Sequence, residues 1–301
     1  MDLQGAIDLH VHAAPSLFPR WGDAWDLAYR CREDGMAGVV VKFHHGSSVE
    51  LAHAVSAGLA KAATVDGSGP FHVFGGVVLN HFVGGLNPYA VESCVRLGGK
   101  LVWLPTIHSV EHGAKVGPLG GFGFQQTSAS REVSTGIRIT DGEGTLLPEV
   151  REILDVLHGQ GTVLATGHVA ADEIRALLGA VAQDKREVPI LVNHCFFKAP
   201  SLTVDLIREF AGEGVWFEVA DLSASTLVNC TRAEIVAEAI VAVPDARWVL
   251  VSDSGQRENV PSPEALLRYG RALIEHGVSE ETVRRMVVTE PRMLLGLDGN
   301  P

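Results

Sequence analysis

The sequence predicts a (β/α)8 barrel of the TIM type, a single domain over residues 1–301 with a long loop after the fourth strand. Three observations point there. Short, β-rich apolar runs alternate with longer segments of helical period, the pattern of repeated βα units on a parallel sheet. The runs number eight, and each is followed by a helical segment. A chain of 301 residues with 46% hydrophobic content can bury a core of that size.

In order, the strands are expected at 6–10, 38–42, 73–79, 101–105, 162–166, 190–193, 215–219 and 248–251. The helices between and after them are expected at 23–34, 47–63, 88–97, 148–158, 170–182, 201–211, 231–242 and 263–276. Several open on a residue that starts helices: Asp23, Ser47, Pro88, Pro148, Ser201, Thr231 and Pro263. Several stop before glycine, at Gly35, Gly98, Gly159, Gly212 and Gly277. A doubly wound open sheet is the competing architecture, but no Gly-rich phosphate turn follows the first strand.

Residues 107–146 break the rhythm. They carry GPLGGFGFQQTSASREVSTG and exceed any usual connection. After a fourth barrel strand such a loop sits on the C-terminal face, as an active-site lid or a floppy insertion.

Strand side chains alternate faces, so His10 and His12 of IDLHVHAAPS share a face at the C-terminal end of the first strand. Two imidazoles at that spacing can meet one metal ion. With 13 histidines in 301 residues, a chance HxH is about an even bet, so the pair alone decides little. The other strand ends decide more. VLATGH ends the fifth strand at His168, ILVNH the sixth at His194 and WVLVSD the eighth at Asp253. Five metal-compatible residues then converge on the face where barrel enzymes place their chemistry. Asp8 is expected on the His10 face, deeper in, as a carboxylate behind the ligands or a buried structural one.

The order HxH after strand one, single histidines after strands five and six, and Asp after strand eight resembles the amidohydrolase superfamily of metal-dependent hydrolases. The resemblance spans nearly the whole chain, and VVTEPRMLLGLD near the C-terminus looks like the Asn-Pro-Ala-x-x-Leu-Gly-Leu closure of many members. It looks closest to the small amidohydrolase-like branch without the extra β-sandwich domain. It implies His10, His12, His168, His194 and Asp253 as ligands of one or two divalent ions. Zinc is the usual ion, and manganese, iron or cobalt suits the same donors. It also implies Asp253 as proton shuttle and His194 as either a second-metal ligand or a carbonyl polariser.

One departure concerns the bridging Lys or Glu that binuclear members carry at the end of strand four. Here that strand reads KLVWLPTIHS, with Lys100 at its wrong end. VVVKFHHG in the second strand instead puts Lys42 and His44 on one face, and WFEVAD in the seventh offers Glu218. Lys42 is read as a carboxylated bridge, an anion binder or a partner of Glu218 or Asp8, the ion pair being favoured. Asn80, His81 and His108 fall near strand ends as candidates for substrate or a second metal, whereas His45 and His112 are expected in exposed loop. Trp103, Trp216, Trp248 and Cys195 are expected in the core or behind the barrel wall.

The function implied is metal-assisted hydrolysis of a C–N bond in an amide, imide or cyclic amide, or of a related ester or lactone. Alternatives are metal-dependent decarboxylation of a small acid and a non-catalytic metal-binding protein. The partner expected is a small-molecule substrate, with homo-oligomerisation left open. A net charge of -12 argues against nucleic acid or an anionic membrane surface as partner. Four scattered cysteines without CxxC, no signal-like N-terminus and no membrane-length apolar run make a cytoplasmic protein the expectation.

Overall fold

The computed structural model describes residues 1–67, 69–123, 127–129, 133–212 and 214–297. Among them nine strands run in parallel: β1 Ile7–Val11, β2 Gly38–Val41, β3 His72–Phe74, β4 Gly76–Val78, β5 Leu101–Trp103, β6 Val163–Ala165, β7 Ile190–Val192, β8 Val215–Ala220 and β9 Arg247–Val251. The expected third strand is divided at Gly75. β3 pairs with β2 and β4 pairs with β5, so the sheet has ladders of three and six strands.

Ser48 spans the division. Its N–H donates to Gly76 O (2.9 Å), its hydroxyl donates to Val41 O (2.6 Å), and the same oxygen accepts Gly76 N–H (3.0 Å). A Cβ on Gly75 would lie 2.6 Å from the Ser48 carbonyl carbon and oxygen, which explains glycine at the break. At the other edge, the segment after β9 returns to β1. Asp253 N–H donates to His10 O (2.9 Å) and His12 N–H to Ser254 O (2.8 Å). The arrangement is TIM-barrel-like and α/β.

The expected helices appear within a few residues of their places, at Ala24–Glu33, Val49–Asp66, Pro88–Arg96, Pro148–Leu157, Ala171–Gln183, Val204–Phe210, Ala233–Ala242 and Ser262–Glu275. Asp23 caps the first by accepting Trp25 and Asp26 N–H. One apolar layer fills the space between strands and helices, including Val39, Val41, Val192, Cys195 and Trp248. A second lies inside the ring of strands, built from Ile7, Leu9, Val40, Leu101, Trp103, Leu191 and Val249. Leu294 and Leu295, from the segment that resembles a family closure, pack into that inner layer. Each such buried side chain contributes about 1.5–3 kcal/mol of transfer free energy.

Residues 107–146 are not structureless, because Val110–Lys115 forms a short helix capped by Ser109. Ile139 N–H donates to buried Glu173 Oε1 (2.8 Å), pinning the return of the segment. Residues 124–126 and 130–132 of the expected lid lie outside the described residues. Among the described residues no helix is long and apolar enough to cross a membrane.

Candidate metal centre

Strand β1 does not keep simple alternation. Asp8 pairs with Val39 and Val11 with Val41, so Leu9 and His10 together oppose Val40, a bulge. Leu9 stays in the inner apolar layer, and the extra residue lets His10 face the ring's interior as well. Asp8 therefore does not share the His10 face. It accepts Ser262 Oγ–H (2.6 Å) and Ser252 N–H (3.2 Å) between β1 and the helix Ser262–Glu275. It is a buried structural carboxylate whose pKa burial raises to about 6.

Above the bulge, His10 Nδ1 lies 3.1 Å from Glu218 Oε1, and a carboxylate can only accept from it. That nitrogen donates, and His10 Nε2 faces Lys42 Nζ at 3.1 Å, an ammonium that can only donate to it, so Nε2 presents its lone pair. His12 Nδ1 lies 2.8 Å from Lys42 O, a carbonyl, and is protonated by the same argument. His12 Nε2 is then also a lone pair, since burial lowers the His12 pKa to about 3. Both lone pairs point at Asp253 Oδ1, at 3.3 Å from His10 and 3.1 Å from His12. Asp253 is ionised: burial pushes its pKa up, but the groups around it, Lys42 among them, hold it at about 2. Two imidazole nitrogens and a carboxylate oxygen converging within 4.8 Å make a site for a cation.

His168 follows the same rule through a longer chain. His112 Nε2–H donates to Gly121 O (2.7 Å), so His112 Nδ1 accepts, and His168 Nδ1, 2.8 Å away, donates to it. His168 Nε2 is left as a lone pair. Gly167 precedes it at φ +59°, where a Cβ would meet Leu104 O at 2.3 Å. His194 takes φ 39° and Asp253 φ 50°, left-handed conformations costing of order 1–3 kcal/mol each. The turn at His194 aims that ring inward, 4.9 Å from the His10 ring and 5.0 Å from His168, while its Nδ1 is buried without a partner. Burial holds His44, His168 and His194 well below the usual histidine pKa, so all are neutral near pH 7.

The donors group as His10, His12 and Asp253, and as His10, His194 and Glu218, each set within 4.8 Å. Glu218 also accepts Asn193 Nδ2–H (2.8 Å) and His194 N–H (3.2 Å), which locks the carboxylate in place. These residues fit a divalent ion. Lys42 competes for it: its Nζ lies 3.1 Å from His10 Nε2, and burial lowers its pKa to about 8. The favoured ion pair with Glu218 or Asp8 is not what Lys42 makes; it bonds His10 and lies 5.6 Å from the Trp103 ring centre.

The remaining candidates divide. His44 joins the site, stacked 4.8 Å from His12 and bonded to Thr106 Oγ1 (3.1 Å). Asn80 is fully engaged, donating to His44 O and Thr106 Oγ1 and accepting Thr106 and His108 N–H, so it holds loops together instead of facing substrate. His108 and exposed His81 face a separate outer cavity of about 950 Å³. His112, expected in exposed loop, is buried, and half-buried His45 stacks on Phe43. The signal for His112 was present in Ser109-Val-Glu-His, where Ser109 caps the helix by accepting His112 N–H. Buried Arg20 carried no such signal, being a lone basic residue in a loop. Trp103, Trp216, Trp248 and Cys195 are buried as expected.

The enclosed cavity holds about 20 Å³, room for one water or ion. Phe122 closes it, its ring 5.6 Å from His44, 5.5 Å from Phe18 and 5.2 Å from His112. A larger depression of about 980 Å³ lies near Ile190, Gly214 and Trp216, toward the other end of the strands.

A parallel α/β fold with imidazoles and a carboxylate at the strand ends defines a TIM-barrel-like candidate metalloprotein. Solved structures share that fold. An amidohydrolase from Pseudomonas aeruginosa superposes at TM-score 0.58 with 13% identity, covering 97% of this chain and 95% of that one. A probable dipeptidase from the same organism gives 0.57 and 12%, with 97% and 94% covered. 2,6-Dihydroxybenzoate decarboxylase complexed with 2,6-dihydroxybenzoate gives 0.55 and 12%, with 98% and 100% covered. The resemblance to the amidohydrolase superfamily thus holds at the level of fold. Residues 5–218 match the model of a family of unknown function, DUF6282, and the chain belongs to that family. No curated protein matches it.

Proposed function

We propose that this protein is a metal-dependent hydrolase acting on a C–N bond of a small amide, imide or cyclic amide, or on a related ester or lactone. The observation that carries the reading is the meeting of His10 Nε2, His12 Nε2 and ionised Asp253 Oδ1, within 4.8 Å of one another. His10, His12, His168, His194 and Asp253 would hold one or two ions, zinc by the chemistry of the donor set, with manganese, iron or cobalt also accommodated. When bound, the ion supplies a water of lowered pKa and polarises the scissile carbonyl.

The chain does the rest. Asp253 Oδ1 faces His10 and His12, while Oδ2 faces His194 Nε2 at 3.6 Å. Oδ2 takes the proton of the attacking water and returns it to the leaving nitrogen. Glu218 and Lys42 O fix the tautomers of His10 and His12. The strands close as a (β/α)8 barrel, and Phe122, packed against Phe18, His44 and His112, acts as the lid that excludes bulk water. Metal-dependent decarboxylation of a small acid is the second reading, favoured by Lys42 in the cavity beside His10.

Metal content and turnover test the proposal together. Protein purified without chelator should carry at least one equivalent of divalent metal, and His10→Ala should lose it. Asp253→Asn should retain much of the metal and lose turnover on an amide panel. A wild-type chain with no metal would sink the hydrolase, and carbon dioxide release instead of water-dependent cleavage would select the second reading.

A further inference from the structure

Arg20 stands in the loop after β1, held over the mouth by backbone pairing with Gln256. Its side chain is nine-tenths buried, at 9% exposure, and lines the same enclosed cavity as His10, His12, Lys42, His194 and Asp253. Its Nε donates to Ser16 Oγ at 3.3 Å, and the guanidinium sits 5.7 Å from the Phe18 ring centre. Nη1 is buried with no hydrogen-bond partner. A buried guanidinium N–H left unmatched costs free energy that a ligand acceptor can recover.

We propose that Arg20 is the anchor for a carboxylate on the substrate, so the site takes small acids in place of neutral amides. The assignment rests on the hydrolase reading for the identity of the pocket.

Two features support it. The planar fork of arginine matches the two oxygens of a carboxylate, with Nη1 free to complete the pair. The charge is also placed to act, because the guanidinium lines the same cavity as His12, His44 and Lys42. Burial lowers its own pKa only to about 10, which leaves it cationic at neutral pH. Phe122, Phe197 and Leu222 supply an apolar side to a wall otherwise made of polar residues, so an acid carrying a ring or short hydrocarbon body has a surface to pack on. The present volume admits only a water-sized body, so binding such an acid requires the Phe122 side chain to turn aside.

The test compares benzoate with its neutral isostere benzamide by titration calorimetry on wild-type protein as purified and on Arg20→Gln. Benzoate should bind wild type at least tenfold more tightly than benzamide. In Arg20→Gln the two should bind within about twofold, with metal content and benzamide affinity unchanged. Arg20→Lys keeps the charge without the fork and should retain part of the preference, which guards against misreading a folding defect. Failure of benzoate to bind, equal affinities in wild type, or an undiminished preference in Arg20→Gln overturns the proposal. A tenfold advantage of phenyl phosphate over benzoate that depends on Arg20 overturns the carboxylate assignment. A chain without metal sinks the hydrolase reading alone, because the Arg20-dependent ratio is read from binding.

Discussion

The floor of the strand ring and its mouth are made by the same strands a few residues apart, and opposite physics holds them. The floor is Ile7, Leu9, Val40, Leu101 and Val249, closed by Leu294 and Leu295, and it contributes burial free energy at every position. The mouth is His10, His12, Lys42, His168, His194, Glu218 and Asp253, equally buried but polar, with two residues in left-handed backbone. Desolvation there opposes folding and is offset by fixed hydrogen bonds and, on the proposed reading, by a bound cation. One end of the strands holds the fold together, and the other spends part of that stability on a preorganised site.

Exchanging the properties of the two ends would break that contrast, and the largest effect is expected at the floor. Leu101→Ala should cost about 2–5 kcal/mol in urea unfolding because the surrounding strands cannot collapse into the cavity. Its metal content should stay at the wild-type value; joint loss of metal would show the two ends are not separable.

At the mouth, Glu218→Gln should weaken metal binding by about 10–100-fold through a misoriented His10. Chelator competition measures it. A stability loss larger than that of Leu101→Ala would instead make Glu218 a structural residue.

A smaller effect is expected one shell further out. His112→Gln should raise the metal dissociation constant by roughly tenfold, the low end of what such partners do. Long-range proton–nitrogen spectra of metal-free protein should show His168 protonated at Nδ1 in wild type and mixed in the variant. An unchanged tautomer would remove His112 from the site.

The smallest effect concerns the wall behind the mouth. Burial raises the pKa of Cys31 and Cys195 well above the usual thiol value and that of Cys94 to about 12, so all three remain thiols at pH 8. Half-buried Cys230 is also shifted upward but is reachable. A thiol reagent at pH 8 should label Cys230 first. Rapid labelling of Cys195, next to His194, would mean the wall opens readily.

Strand and helix positions were legible because apolar periodicity and caps are local: Asp23 caps its helix by accepting Trp25 and Asp26 N–H, and Pro88 and Pro148 start theirs with a fixed φ in the first turn. The split of the third strand was less so, since Gly75 breaks it through contact with Ser48, far along the chain. Alternation placed His10 and His12 together but misplaced Asp8, because the bulge at Leu9 and His10 depends on how β1 registers against β2. His112 was placed in exposed loop and Arg20 escaped notice for the same reason, their significance lying in contacts with Gly121, His168 and the cavity.

The sequence by itself determined the rhythm of strands and helices, the chemical types at the strand ends and the unusual segment 107–146. These follow from neighbours within a turn or a strand. Only the tertiary structure decided which nitrogens carry protons, which carboxylate faces the ring's interior and where an unpaired guanidinium points. Each of those depends on a partner brought close by strand register and loop packing, and no spacing along the chain encodes that distance.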